Sequence, residues 1–356
     1  MRILMVVLAL AIYGGLTYYM GWAVKSYLQA MNVFRWPALF WIVVAVLALS
    51  YVIGRMHPAL SVFTVIGSYW FFVVQYGLIL ITLALIVIKV TPLSVQLVGS
   101  VAVGIFVVLF ALGSYFAYSP VTRELTVNVN KAGEDMRIVM ASDFHLGLLS
   151  NKAHLKRFVK LSNEANPDIV LLAGDIVDDD PRVFIEKGMD DELRMLRATY
   201  GVYGILGNHE YYGNEIPAFK EAMAASNVQI LMDETITVEN RFVLTGREDL
   251  TNKARLPLEQ LAPESSDLPW IVMNHTPDDL QTPASLGADI HVSGHTHKGQ
   301  MWPNVYITDR LFDLDYGHEL FEQMHGIVSS GFGFWGPPMR IGSRAELWVI
   351  DVHFTK

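Results

Sequence analysis

The first 118 residues hold four long apolar runs and not one Asp or Glu, a pattern that leaves few folds open to them. The runs cover roughly residues 3–22, 36–53, 63–88 and 97–118. A helix needs about 20 apolar residues to cross a hydrocarbon core about 30 Å thick, and each run reaches or approaches that length. The breaks between them carry charge and helix breakers, as at Arg55, Pro58, Lys89 and Pro92. Tyr18, Tyr19, Trp22, Trp36, Trp41 and Tyr118 lie near the ends, where amphipathic rings favour a membrane interface. A buried soluble helical core would be expected to carry some acidic residues. A cleaved leader would account for the first run only.

Charge divides the chain the same way. Five of the 26 basic residues (Arg2, Lys25, Arg35, Arg55 and Lys89) lie before position 119, leaving 21 against all 35 acidic residues, a formal −14. Such unlike solvents imply two domains, expected at residues 1–120 and 121–356. The even number of spans puts both termini on one side. Arg2, Arg55, Arg123 and Lys131 against Lys25, Arg35 and Lys89 tilt the positive-inside count toward a cytoplasmic C-terminal domain on the plasma (inner) membrane. The chain has no cysteine, which is compatible with either compartment. Ser266 is expected to be exposed.

Beyond Pro120, β-rich runs at residues 137–142, 168–173, 202–206, 270–274 and 289–293 alternate with helical patterns at 152–165, 190–199 and 217–225. Further strands are expected at 228–231, 235–238, 241–245, 326–329 and 346–353, so the domain reads as layered α/β with a mixed sheet or a pair of sheets. Each of the first five runs ends on chemistry: Asp143 and His145; Asp175 and Asp178; Asn208, His209 and Glu210; His275; His295 and His297. Strand C-terminal ends are where open α/β sheets build their sites. Carboxylate, imidazole and amide ligands without thiolate suit Mn²⁺, Fe, Zn²⁺ or Co²⁺. The clusters supply about seven ligands, enough for two ions that share a bridging group and a hydroxide. A lone Asp-x-His or Gly-Asp is ordinary turn chemistry. Gly294-His295-Thr296-His297 is harder to explain structurally, and the five in order point to a metal site.

These five motifs resemble those of the calcineurin-like metallophosphoesterases, over residues 123–356. The resemblance implies a four-layered α-β-β-α sandwich behind the four transmembrane helices. It also implies a binuclear centre, with Mn²⁺ the foremost candidate. One ion would take Asp143, His145, Asp175 and His297; the other would take Asp175, Asn208, His275 and His295, with Asp175 as the bridge. His209 matches the catalytic histidine that faces the substrate phosphate and assists the leaving group, while Asp178 and Glu210 would support the ligands from behind. The chain is similar to a bacterial phosphodiesterase-type branch, including its closing run Ser329–Gly333 and Pro338-Met339-Arg340. Lys298 stands where that branch has Gly, either contacting substrate phosphate or projecting into solvent.

The expected activity is therefore hydrolysis of a phosphodiester, a phosphomonoester or a lipid-linked pyrophosphate. A catalytically silent scaffold would be favoured by lost ligands, and a transporter with a regulatory domain by ionisable residues inside the spans. Neither signature is in the sequence. The −14 charge argues against nucleic acid as a partner and against general attraction to anionic lipid, leaving the spans to hold the domain at the bilayer.

Overall fold

A computed structural model describes residues 2–264 and 267–355. Ser266 lies outside the described residues. The chain divides into two compact units, residues 1–113 with 336–339, and residues 114–335 with 340–356.

Helices α1 (Arg2–Ala30), α2 (Pro37–Arg55), α3 (Ser61–Val90) and α4 (Val95–Tyr118) follow the apolar runs, α1 continuing about two turns past its run and the others ending within two residues of theirs. All four are long and apolar enough to cross a membrane, and no more than 11% of each apolar window is buried. Leu, Val and Ile side chains that face outward this uniformly need an apolar solvent. Two polar side chains among these helices are partnered: Trp70 donates to Tyr13 Oη at 2.8 Å, and Tyr13 donates to the Ala48 carbonyl at 2.8 Å. Gly67 lets α3 approach α2, since a Cβ there would fall 2.3 Å from the backbone nitrogen of Tyr51.

The second unit is built on two six-stranded mixed sheets. In chain order come β1 (Val121–Val129), β2 (Met136–Ala141), α5 (Lys152–Glu164), β3 (Ile169–Leu172), α6 (Pro181–Glu186), α7 (Met189–Leu193), β4 (Val202–Gly204), α8 (Asn208–Gly213), α9 (Ile216–Ala225) and β5 (Val228–Ile230). Then follow β6 (Glu234–Val238), β7 (Phe242–Gly246), β8 (Trp270–Met273), α10 (Gln281–Ser285), β9 (Ile290–Ser293), α11 (Val305–Leu311), β10 (Gly317–Phe321), β11 (Met324–Val328) and β12 (Glu346–Phe354). The strand orders are β1-β12-β2-β3-β4-β5 and β10-β11-β9-β8-β7-β6.

Period-2 alternation assigns each strand face to a layer. On β2, Val139 and Ala141 join the cluster beneath α5–α9, while Met136, Ile138 and Met140 join the cluster between the sheets. On β8, Ile271 and Met273 enter the same inter-sheet core, while Trp270 and Val272 face a third cluster with Leu280 and Ala284 of the α10 region. The layers are thus helix, sheet, sheet, helix. The parallel neighbours β2, β3 and β4 in one sheet and β8 and β9 in the other bring the motif-bearing strand ends together.

Two expectations change. Residues 121–129, where no strand was expected, form β1, paired in parallel with β12 over nine residues. The helix expected at 190–199 stops at Leu193, because the Asn163 side chain takes up backbone groups beyond it: its amide donates to the Met195 carbonyl at 2.9 Å and its oxygen accepts from Arg197 N at 2.9 Å.

Candidate metal centre

Asp143 and His145 leave β2 on a loop anchored by the residue between them. Phe144 is buried, with its ring centroid 4.7 Å from that of Phe158 and 5.6 Å from that of Phe332. An aromatic lock on the inner side turns its two neighbours toward the strand ends. Asp143, His145, Asp175, His295 and His297 all adopt left-handed backbone, with φ between 45° and 68°. Each such residue costs on the order of 1 kcal/mol or more, a strain that persists only where the surroundings impose it and that clusters at functional sites.

The structure brings the predicted ligands together. Nε2 of His145 and Nε2 of His297 are 3.2 Å apart, and Oδ1 of Asp143 is 3.4 Å from Nε2 of His297. Oδ2 of Asp175 is 3.2 Å from Nε2 of His275 and 3.7 Å from Nε2 of His145. Nδ1 of His295 lies 2.9 Å from Oδ1 of Asn208. Metal–ligand bonds of about 2.0–2.2 Å give ligand–ligand edges of about 3.0–3.5 Å in tetrahedral or octahedral sites, and three of these five distances fall in that range. Two groups of potential ligand atoms lie within 4.8 Å of one another, Asp143 with His145 and His297, and Asp143 with Asp175 and His275. A third joins His145, Asp178 and His209 at the same range.

Hydrogen bonding tells which atoms carry lone pairs. Nδ1 of His275 is 2.8 Å from the Ala173 carbonyl, which can only accept, so the proton sits on Nδ1 and the neutral ring presents a lone pair at Nε2. That Nε2 is fully buried without a hydrogen-bond partner, against a carboxylate that also offers only lone pairs. Nε2 of His145 and Nε2 of His297 share one nitrogen–nitrogen contact that a single ring proton or a cation can bridge. Such juxtapositions repel unless a proton or cation lies between them, so the donor set fits divalent metal.

The electrostatics agree. Burial opposes charge on His275, but Asp175, Asp143 and Asp249 outweigh it and push the imidazole up to about 10, marking a spot that demands positive charge. Burial would raise Asp175, yet His275, His145 and His209 hold its carboxyl far below the usual range. Burial drives His145 down to about 3 and His297 well below its ordinary value, keeping both rings neutral and able to ligate. A metal competes for these same sites, so the His275 proton is what an ion would displace.

Around the ligands sits a layer of donors and clamps. Backbone N–H groups of His295 and His209 donate to Asp143 at 3.0 Å and to Asp175 at 2.9 Å. Glu210 accepts from the amides of Asp175 (3.1 Å), Val177 (3.0 Å) and Gly207 (2.7 Å), stitching the β3 loop to the β4 loop. Burial, then Asp175, pushes its carboxyl up to about 7. Gly207 has to be glycine, because a Cβ there would fall 2.1 Å from Oδ1 of Asp175.

His209 lies beside this cluster, its ring centroid 4.6 Å from that of His145. Its Nδ1 is 2.7 Å from Oδ1 of Asp179 and 3.9 Å from Oδ1 of Asp178. Asp178 is also 4.0 Å from Nδ1 of His145. Burial opposes the charge on His209, but the Asp179 hydrogen bond and the charges of Asp175, Asp179 and Asp178 raise it to about 9.

Two participants were not singled out in the sequence. Asp179 is one, and its only signal was the run of three Asp at 178–180. Arg340 is the other. Its fully buried guanidinium donates to the carbonyls of Ser330 (2.6 Å), Gly331 (3.2 Å) and Gly333 (2.7 Å) and lies 3.4 Å from Nδ1 of His297. Burial lowers it to about 10, still cationic at neutral pH.

Residues 136–299 match a family model described as calcineurin-like phosphoesterase. The chain is 29% identical over 241 residues to an uncharacterized metallophosphoesterase of Campylobacter jejuni, covering 66% of this chain and 63% of that protein. It is 30% identical over 255 residues to a transmembrane protein with metallophosphoesterase domain of Bos taurus, covering 65% of this chain and 56% of that protein. It is 30% identical over 232 residues to an uncharacterized metallophosphoesterase of Aquifex aeolicus, covering 62% of this chain and 86% of that protein. The chain thus spans less than two thirds of the length of the first two relatives.

Proposed function

Given that the chain belongs to the calcineurin-like phosphoesterase family, we propose that it is a membrane-anchored hydrolase of phosphate esters that works with two divalent metal ions. The observation that carries this reading is the buried, unpartnered Nε2 of His275 against the Asp175 carboxylate, beside the close nitrogen contact of His145 and His297. Asp143, His145, Asp175 and His297 would hold one ion, and Asp175, Asn208, His275 and His295 the other. When bound, the ions supply Lewis acidity toward phosphoryl oxygens and lower the pKa of a water molecule toward neutrality.

The chain's own residues shape the rest. Asp179 holds Nδ1–H of His209, leaving Nε2–H as the proton donor to the departing oxygen. As water adds its oxygen to phosphorus, the ester P–O bond breaks and that oxygen leaves as an alcohol with the His209 proton. Glu210 and Asp178 act through others, Glu210 by fixing the loop that aims Asp175 and Asn208, and Asp178 from its place near His145 and His209.

Four apolar helices support a reading in which residues 1–120 anchor the catalytic domain of 121–356 to the membrane, and the basic residues that flank the spans tilt that domain to the cytoplasmic face. A phosphodiester, a phosphomonoester and a lipid-linked pyrophosphate are the candidate substrate classes. The purified full chain, loaded with Mn²⁺, should hydrolyse at least one of p-nitrophenyl phosphate, bis-nitrophenyl phosphate and a lipid pyrophosphate. Loaded protein inert toward all three contradicts the assignment.

A further inference from the structure

The acidic second unit contains a conspicuously basic cavity. It has a volume of about 280 Å³ and is lined by Phe116, Arg123, Lys298, Tyr316, Ser330, Ser343 and Arg344, with Gly342. Three cations meet one nearby carboxylate, that of Glu346, which is already committed. Glu346 accepts from Arg123 Nε at 3.1 Å, Tyr316 Oη at 3.1 Å, Ser330 N at 3.0 Å and Trp348 Nε1 at 3.0 Å. The Lys298 ammonium lies over the Tyr316 ring, 4.1 Å from its centroid. Arg344 donates to the carbonyl and hydroxyl of Ser119 at 2.8 and 2.9 Å and lies over the rings of Tyr115 and Phe116. Among the described residues neither Lys298 nor Arg344 forms an ion pair. The cavity therefore holds a surplus of two positive charges, within a domain whose net charge is of the opposite sign.

Two further observations say what kind of anion belongs there. Phe116 is on the last turn of α4, two residues before its end, so the cavity opens where a membrane-spanning helix leaves the bilayer. The aromatic residues Tyr115, Phe116 and Tyr118 of that turn are the type that settles at headgroup level. Arg157 and Lys160 line a second cavity with Tyr115 and Tyr118, which widens the basic collar around the helix exit. The cavity also adjoins the metal centre through the chain itself: Lys298 follows His297, and Ser330 precedes Gly331, whose Cβ position lies 2.8 Å from Cβ of Asp143.

We propose that the cavity bounded by Lys298, Arg344 and Arg123 binds the phosphate of an anionic lipid headgroup at the membrane surface. This rests on the reading of α4 as a span but not on the hydrolytic activity. Over a Debye length of about 8 Å the local cluster, not the −14 total, is what a headgroup meets.

The test uses the full chain in nanodiscs of phosphatidylcholine, with a fluorescent phosphatidic acid as probe and chelator present, so that hydrolysis plays no part. Wild type should bind the probe in preference to its phosphatidylcholine counterpart. Each basic residue near a headgroup contributes about 1 kcal/mol, so Lys298→Gln should weaken binding about fivefold and Lys298→Gln with Arg344→Gln about 25-fold. Lys298→Arg should keep the preference. The single Lys298 variant removes only a ring contact from the fold, so it remains informative if the Arg344 change perturbs folding. Inorganic phosphate at millimolar concentration should displace the probe only weakly, because it lacks the membrane's local concentration. Equal binding of anionic and zwitterionic probes, an unchanged preference in the variants, or ready displacement by free phosphate would overturn the proposal.

Discussion

Nε2 of His145 stands 3.2 Å from Nε2 of His297, although 152 residues separate them in the chain. One leaves β2 of the first sheet and the other follows β9 of the second, so the pair reports how the sheets align their strand ends. Two buried neutral imidazoles held nitrogen to nitrogen need a proton or a cation between them. The length of the contact suits two ligands of one ion.

Asp175→Ala should strip the protein of both ions, because that carboxylate faces His275 at 3.2 Å and His145 at 3.7 Å. His209→Ala should retain the metal and lose rate on the order of 10²–10⁴-fold. Elemental analysis beside a diester assay separates the two. Equal metal loss in both variants would remove His209 from its catalytic role.

Phe144→Ala should destabilise the catalytic domain by about 3–5 kcal/mol through the cavity left against Phe158 and Phe332. Because the same residue sets the direction of Asp143 and His145, metal affinity should fall with it. Thermal unfolding in chelator, followed by metal titration, reads both effects. A stability loss with unchanged metal affinity would show that the aromatic lock supports the fold without aiming the ligands.

The candidate ligands were legible in the sequence because each strand end carries its chemistry locally, within a few residues of a β-rich run. The sequence hid β1, whose first half alternates Thr122, Arg123 and Glu124 on an exposed edge and so reads as linker. The partner of His209 was equally hidden. Asp178, Asp179 and Asp180 are identical side chains, and the choice among them depends on a left-handed turn at Asp179, φ 61°, that only the folded loop defines. Arg340 was legible as part of a closing run but not as a buried guanidinium, since its carbonyl partners come from a loop of unpatterned sequence.

Acid should weaken the fold through His154. Its ring is buried, with Nε2 donating to the Phe332 carbonyl at 2.8 Å, and burial lowers it to about 4 from an ordinary 6.5. The folded state therefore binds the proton less readily than the unfolded chain. This contribution is fully present above about pH 6.5 and is lost as pH falls toward 4. Between pH 7.5 and 5 the loss is about 2 kcal/mol. Denaturation in chelator at the two pH values should show His154→Gln losing less stability than wild type. Parallel losses would mean that His154 does not titrate this way.

A single cysteine at exposed Ala224 on α9 reports the membrane side, since the chain has no other cysteine. In intact cells an impermeant thiol reagent should leave it unlabelled, and labelling should appear after lysis. Labelling before lysis reverses the topology and moves the substrates to the outer face.

The central claim is that the strand-end cluster is a metal-dependent phosphoesterase site, and metal removal tests it most directly. Purified full chain stripped with chelator should lose hydrolysis of bis-nitrophenyl phosphate, and Mn²⁺ added back should restore it, with about two ions bound per chain at saturation. Full activity in protein shown by elemental analysis to be metal-free would contradict the account.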